Sequence, residues 1–600
     1  ILLAGTLGVV FCVAMQGSRR EPPQQRPAAA GTIRVRVRLV PVDVIVTDAR
    51  LRPVLDLTKD DFMILESGRP QEIRHFSLQT LTAAAVSQAE EGAKLRRVPT
   101  LDLTPQTRRA FLILMGRGRY QTPFRDVDAL IRFVRDNLLP QDLVAVFAYN
   151  RATDFTTNHA QIVRVLEQYK KIHGRIEARL EMYLSGLAGI YGSKGMPKAL
   201  QPDIDSIFRV SNGPGAREVP PGRAADSGKM ARDAAEVSGA MLRIDALDEA
   251  AAGLGIESTV SPFDRLEVES MTDLPFEEYV STSAMTLQDV QNIYASIEYL
   301  RYMEGEKHLL LFSQNGLFLP RLDYEKGIAA VANDARVKVD TFQTGGVFLD
   351  ATFSAASPRS VGRGSMSGAG APTGNLSRTF ALSSLGNLSQ LTGGRASIHK
   401  DIGEALKSVN ETTRAQYLLG YYPSDPKWDG RYRQIDVKVN RPGLRVSFRH
   451  GYFARDTVEP LDRAELLAYS RISAAAAYDD QIRDVPFRAA TSVYRDASGK
   501  QQVRLELKID LSGMRFEEVQ DRHKGRMGVT VFWSDAQGRP VGHFSDTVDM
   551  NMLEQTYQRA LQEGLPFAAP VPFVENGQYI KIIIYSYGSD RVGSQTIRLK

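Results

Sequence analysis

Five arginines, Arg108, Arg109, Arg117, Arg119 and Arg125, fall between positions 108 and 125 with no carboxylate among them. A guanidinium is a rigid fork of N–H donors that meets a carboxylate two-to-two. Such a cluster can grip an Asp or Glu of another chain, and Arg117, Arg119 and Arg125 are then the partner-binding residues. It can equally be satisfied within the chain, because Asp126, Asp128 and Asp142 follow closely. Both readings are compatible with the sequence.

Other polar groupings point to less chemistry. Asp60, Asp61 and Glu66 are close enough to suggest Ca²⁺, but acids so placed are more often solvated in a turn. His308, His399 and His450 share no metal-ligand spacing and read as surface or capping residues. The stretch GRGRYQTPF lacks a phosphate-loop pattern, and SSLGNLSQL lacks a nucleophile elbow. Cys12 is the one cysteine, which excludes internal disulfides and a cysteine zinc site.

These residues depend on the elements that carry them. The run from Ala110 to Met115 is an apolar strand that ends at Gly116-Arg117-Gly118-Arg119. Val127, Leu130, Ile131, Val134 and Leu138 have helical spacing, and DLVAVFAY is a second apolar strand. Further on, KHLLLFSQNG and VKVDTFQTG flank a helix. Apolar strands alternating with helices imply a parallel sheet covered on both faces. Residues 32–80 alternate in the strand period, with Pro41 shifting the parity, so a bulge or break is expected there. From 485 the strand pattern returns, with Val503, Leu505, Leu507, Ile509 and Leu511 alternating. YIKIIIYSY reads as a core strand that would pair with another chain if it lay at an edge. TDARLRPV and SDAQGRPV share spacing, and each sets an Asp at the start of a turn.

At 600 residues the chain is too long for one core. A net charge of +5 is mild and does not call for nucleic acid. Residues 1–18 carry no charge and precede Arg19 and Arg20, which predicts a signal peptide or a membrane anchor.

Three stretches in order carry a resemblance. They are VDVIVTDARLRPVLDLTKDDFMILESGRPQEIRHF, the strand-helix region with DFTTNHAQIVRVL, and LSQLTGGRASIHKDIGEALKSVNETTRAQYLLGYYPSD with DGRYRQIDVKVNRPGLRVSFRHGYFA. Together, over roughly 33–455, they resemble the von Willebrand factor A-related (VWFA) proteins of the acidobacterial type. The resemblance implies an α/β plus all-β chain: a Rossmann-like A domain with an N-terminal β module, followed by a C-terminal immunoglobulin-like β-sandwich. The expected divisions are 1–31 signal or anchor, 32–80 β module, 105–425 A domain with an insertion at about 175–285, 426–455 β extension, 456–484 helical connector and 485–600 sandwich.

A domains of this family hold a cation with Asp-x-Ser-x-Ser after the first strand, plus a Thr and an Asp from later loops. This sequence departs from the pattern at both Asp and both Ser. Met115 stands for the Asp, Arg117 and Arg119 for the two Ser, and Gln314 for the later Asp, with Thr156 or Thr157 for the Thr. Two guanidinium groups would repel a divalent ion. The expectation is therefore a degenerate, metal-free site with no cofactor. The function expected is a non-enzymatic, exported protein-binding or scaffold protein, periplasmic, envelope-associated or extracellular, with a protein partner or self-association. The alternatives are an envelope hydrolase or polymer-processing enzyme with a site elsewhere, and an adhesin with a relocated cation.

Overall fold

The computed structural model describes residues 39–83, 108–118, 120, 124–194, 196–209, 276–319, 323–344, 374–398, 400–454, 463–497, 499–538 and 540–599. The N-terminal segment 1–31, the Ala-rich stretch near 229–252, Arg119 and His399 lie outside these residues. The chain is mixed α/β, with several antiparallel sheets and one sheet containing parallel strands.

The first strands are β1 (Val40–Thr47), β2 (Phe62–Glu66), β3 (Arg69–Gln71) and β4 (Ile73–Thr80). The second sheet system comprises β5 (Arg109–Met115), β6 (Leu143–Ala148), β7 (Arg151–Ala152), β8 (Glu306–Ser313), β9 (Val337–Gln343) and β10 (Ala396–Ser397). Its order is β10-β9-β8-β5-β6-β7, with β5 parallel to both β6 and β8. Helices α1 (Arg125–Arg132), α2 (His159–Tyr183), α3 (Gln201–Phe208), α4 (Phe276–Arg301), α5 (Asp323–Asp334), α6 (Gly374–Thr392) and α7 (Ile402–Thr412) flank it.

Two cores explain the unbroken apolar strands. Ala110, Leu112 and Leu114 enter one core with α4, α5 and α6. Phe111, Ile113 and Met115 enter the other, with α1, α2, α3 and α7. Strands β6 and β8 divide their residues in the same alternating way. A period of two with both faces buried leaves no polar face to read. Each buried Leu or Ile contributes about 1.5–3 kcal/mol.

The chain then returns to its beginning. Strands β11 (Ala415–Tyr421), β12 (Tyr432–Val439), β13 (Arg445–Ser447) and β14 (Gly451–Phe453) pair with the first four. The two sheets are ordered β13-β1-β11-β4 and β14-β12-β2-β3, and a single apolar core draws on both. The break expected at Pro41 is absent: β1 pairs continuously with β11 from Val40 to Val44. Strand β13 joins the other side of β1 only from Ile45, so Pro41 has no second neighbour to which an N–H is owed. The register shift lies instead at Gly420/Tyr421, against β4.

Residues 485 onward form β15 (Phe487–Arg495), β16 (Gln501–Ile509), β17 (Glu517–Val519), β18 (Arg522–Ser534), β19 (Pro540–Leu553), β20 (Leu565–Pro572), β21 (Tyr579–Ser586) and β22 (Arg591–Arg598). One sheet is β15-β16-β20; the other runs β17-β18-β21-β22, with β19 also on β18. Val503, Leu505, Leu507 and Ile509 point into their shared core, as the alternation predicts. YIKIIIYSY becomes β21, paired on both sides, so it is not an edge. Its Ile580, Ile582 and Ile584 face that core, while Ile583 and Tyr585 face α8 (Arg463–Ala477) and α4. One short helix, α9 (Glu554–Glu563), follows β19. Both echo turns form as read: Asp48 accepts from the Arg50 and Arg52 amides, and Asp535 from the Gln537 amide.

Two described helices enter the span expected as an insertion, about 175–285. Helix α2 continues to Tyr183, and α4 starts at Phe276 as a core element. No described helix is long and apolar enough to cross a membrane.

Candidate functional site

Order reverses beside β5: the chain passes from β5 to β6 on one side and later to β8 on the other. The carboxyl ends of such strands are where open α/β sheets usually place ligands. The loop there is Gly116-Arg117-Gly118. The Gly116 amide donates to the Phe312 carbonyl at 2.8 Å, tying the loop to β8. A Cβ on Gly116 would stand 2.5 Å from that carbonyl and 3.2 Å from Asp289 Oδ2. Gly118 has φ +110°, with Gln314 packed against it.

Arg117 fills the space between α2 and α4. Its Nε and Nη2 donate to Glu177 Oε1 and Oε2 at 2.9 and 3.1 Å. Nη1 donates to Gln288 Oε1 at 2.5 Å, and the backbone amide donates to Asp289 Oδ1 at 3.0 Å. Gln288 and Asn292 in turn donate to the Tyr149 carbonyl at 3.2 and 2.7 Å. Tyr149, at φ +57°, bonds His173 through its hydroxyl at 2.8 Å. Tyr169 stacks on the His173 ring, and Tyr120 meets it edge-on.

Charge and burial compete here. Burial raises the Glu177 carboxyl, but the Arg117 guanidinium outweighs it and holds the group below its ordinary value. Asp289 has no such fork: burial pushes it up to about 7, against the opposing pull of the Arg117 amide and charge. Burial also pushes His173 down to about 4. Beside Arg117 is a cavity of about 20 Å³, bounded by Gln288, Gln291, Leu180 and Leu184. Gln291 Nε2 is buried there with no partner in the protein. The space holds about one water, not a substrate.

The expected site residues separate. Met115 is buried in β5, and Gln314 stands with Gly118 at the same edge as Arg117. Thr156 is elsewhere. The chain turns after β6 and runs back along it, so Thr156 bridges Val144 while Met115 is level with Ala148. Four residues of strand displace Thr156 by about 13 Å along the strands, toward the amino ends, and it lies on the far side of β6 from Met115. Arg125 is exposed at the start of α1. A partner-facing role does not describe Arg117 as placed: its side chain is 4% exposed and already holds Glu177. Of the nearby acids, Asp142 takes Arg109, and Asp128 takes Lys170. Glu177 and Asp289, 60 and 172 residues beyond Arg117, were not foreseen.

Two further readings are corrected. Glu66 is not a solvated turn acid: it shares the inner face of β2 with Phe62 and Ile64. It accepts from Tyr421 and Tyr452 at 2.5 and 2.9 Å and from Arg433 at 3.2 Å. Asp61 instead caps Thr58, so no shared cation site forms. His308 is not on the surface. It is 1% exposed, with Nδ1 2.8 Å from Asp340 and Nε2 3.1 Å from Glu306. Its position in β8 puts it on the sheet face that α7 covers, stacked on Phe111. His450 is half-buried and stacks on Phe448.

Among the described residues, no group of three or more His, Cys, Asp or Glu is placed to hold a metal. No protein-family model matches the chain, and no curated protein matches it.

Proposed function

We propose that this chain is an exported, non-enzymatic protein-binding or scaffold protein built on a von Willebrand factor A-type domain that works without a cation. The observation that carries the reading is the Arg117–Glu177 pair. It occupies the switch-point edge with an internal charge pair, where a cation-dependent domain needs open oxygen ligands. The central β5 with parallel neighbours supports the A-type reading, and the two facing C-terminal sheets support an immunoglobulin-like sandwich. The uncharged residues 1–18 support export. A contact independent of metal suits a permanent assembly better than a switchable one.

The test is the mass of the complex isolated gently from the native envelope or secreted fraction, with and without EDTA. A particle well above the chain's own 66.4 kDa that survives EDTA is expected. A particle that dissociates in EDTA overturns the cation-free reading, and a lone chain overturns the scaffold.

A further inference from the structure

The edge of the three-stranded sheet is cut off in the middle of a packed row. In β15, Phe487, Ala489, Thr491 and Val493 point inward, each in register with a residue of β16 and then of β20. One such row is Val493, Val503 and Val571. Val503 and Val571 are 0% and 1% exposed, but Val493 at the outer end is 37% exposed. Tyr494, its neighbour on the outer face, is 38% exposed.

The two edges of this sheet differ in kind. Strand β20 carries Pro566, Pro570 and Pro572, none of which can donate to a new strand. Proline on an edge is a usual guard against pairing. Strand β15 has no proline and no acid, and its only charges are Arg488 and Arg495. One edge is blocked, and among the described residues no strand pairs with the other.

We propose that β15 pairs antiparallel with β15 of a second copy of this chain, across a two-fold axis at Thr491, joining two three-stranded sheets into one. Inward residues must face inward residues, which excludes every register displaced by one. Among those that remain, only the register centred on Thr491 pairs all nine residues of the strand. It sets Arg488 opposite the second copy's Tyr494, Phe487 opposite Arg495, Ala489 opposite Val493 and Ala490 opposite Ser492. No like charges meet, each guanidinium has an aromatic ring across from it, and the open end of the valine row is covered. This interface uses a different sheet from the one that carries Arg117 and does not depend on what that edge binds.

The experiment is sedimentation equilibrium of the recombinant 600-residue chain, purified alone, with two double variants. Ala490 and Ser492 are exposed, so neither variant disturbs the core. The unaltered chain is expected at twice 66.4 kDa. A490K/S492K sets Lys against Lys twice and weakens the dimer roughly tenfold. A490K/S492E sets Lys against Glu twice and restores it. A monomer at every concentration overturns the proposal, as does a dimer that both variants leave unchanged. Either result leaves the native-complex test above unaffected, since that complex can contain other chains.

Discussion

Arg117 holds Glu177 in a two-pronged pair, at 2.9 and 3.1 Å, with both side chains shut away from solvent. The pair fastens the loop after β5 to the C-terminal third of α2. Removing one member leaves the other charged and buried. R117M is expected to cost about 3–5 kcal/mol, and R117M/E177M to recover much of it. Chemical denaturation of the three proteins measures both quantities, and additive losses in the double variant would refute the coupling.

Asp289 gives the same site a pH dependence of opposite sign. Its carboxyl is raised from 3.8 to about 7 by burial, so the folded chain holds this proton more tightly than the unfolded one. Its effect favours folding at low pH and is lost as pH rises from about 4 through about 7. D289N stays neutral and keeps an acceptor for the Arg117 amide. Urea titrations at pH 5 and pH 8 should show a smaller drop in D289N than in the parent. An equal drop in both would place the pH dependence elsewhere.

His308 lies between two carboxylates. Burial lowers its pKa, but the hydrogen bond to Asp340 and the charges of Glu306 and Asp340 outweigh burial and raise it. Its stabilisation is full below about 6.5 and fades as pH rises through the folded value. H308L leaves Lys338 to balance Glu306 and should lose about 3–5 kcal/mol at pH 6. The gap between parent and variant should narrow on the alkaline side, which unfolding curves at pH 6 and pH 9 would detect.

Gly116 has no room for a side chain, because a Cβ would stand 2.5 Å from a backbone oxygen of β8. G116A is expected to destabilise the chain by about 1–3 kcal/mol. Thermal unfolding measures this, and a variant as stable as the parent would mean the loop can move away from β8.

The parallel strands were legible because both faces are buried, so each reads as an unbroken apolar run. Helix α4 was not. Its Leu287, Val290, Ile293, Ile297 and Leu300 pack on the sheet, but Ser283, Thr286, Gln288, Asp289 and Asn292 are buried as well, so no solvated face sets the apolar stripe off. Thr156 was misplaced for a local reason: the backbone reverses at Tyr149, a non-glycine residue at positive φ that sequence does not announce. Glu66 looked solvated because its partners Tyr421, Arg433 and Tyr452 lie in distant elements, and His308 because Asp340 and the covering helix do. The candidate site was legible as an arginine cluster, but not as a cluster already occupied.

The pairing of β1 with β11 and β13 has a consequence for synthesis. Thr47 waits for Arg445, so β1 stays unzipped while about 400 more residues are made, about 20–80 s at ordinary elongation rates. Strand β4 waits for β11 as well. The parallel sheet, encoded between them, can close first and form the block on which the opening strands later settle. These strands are therefore made long before their neighbours and are among the last to be paired, and it is they that need shielding in the interval.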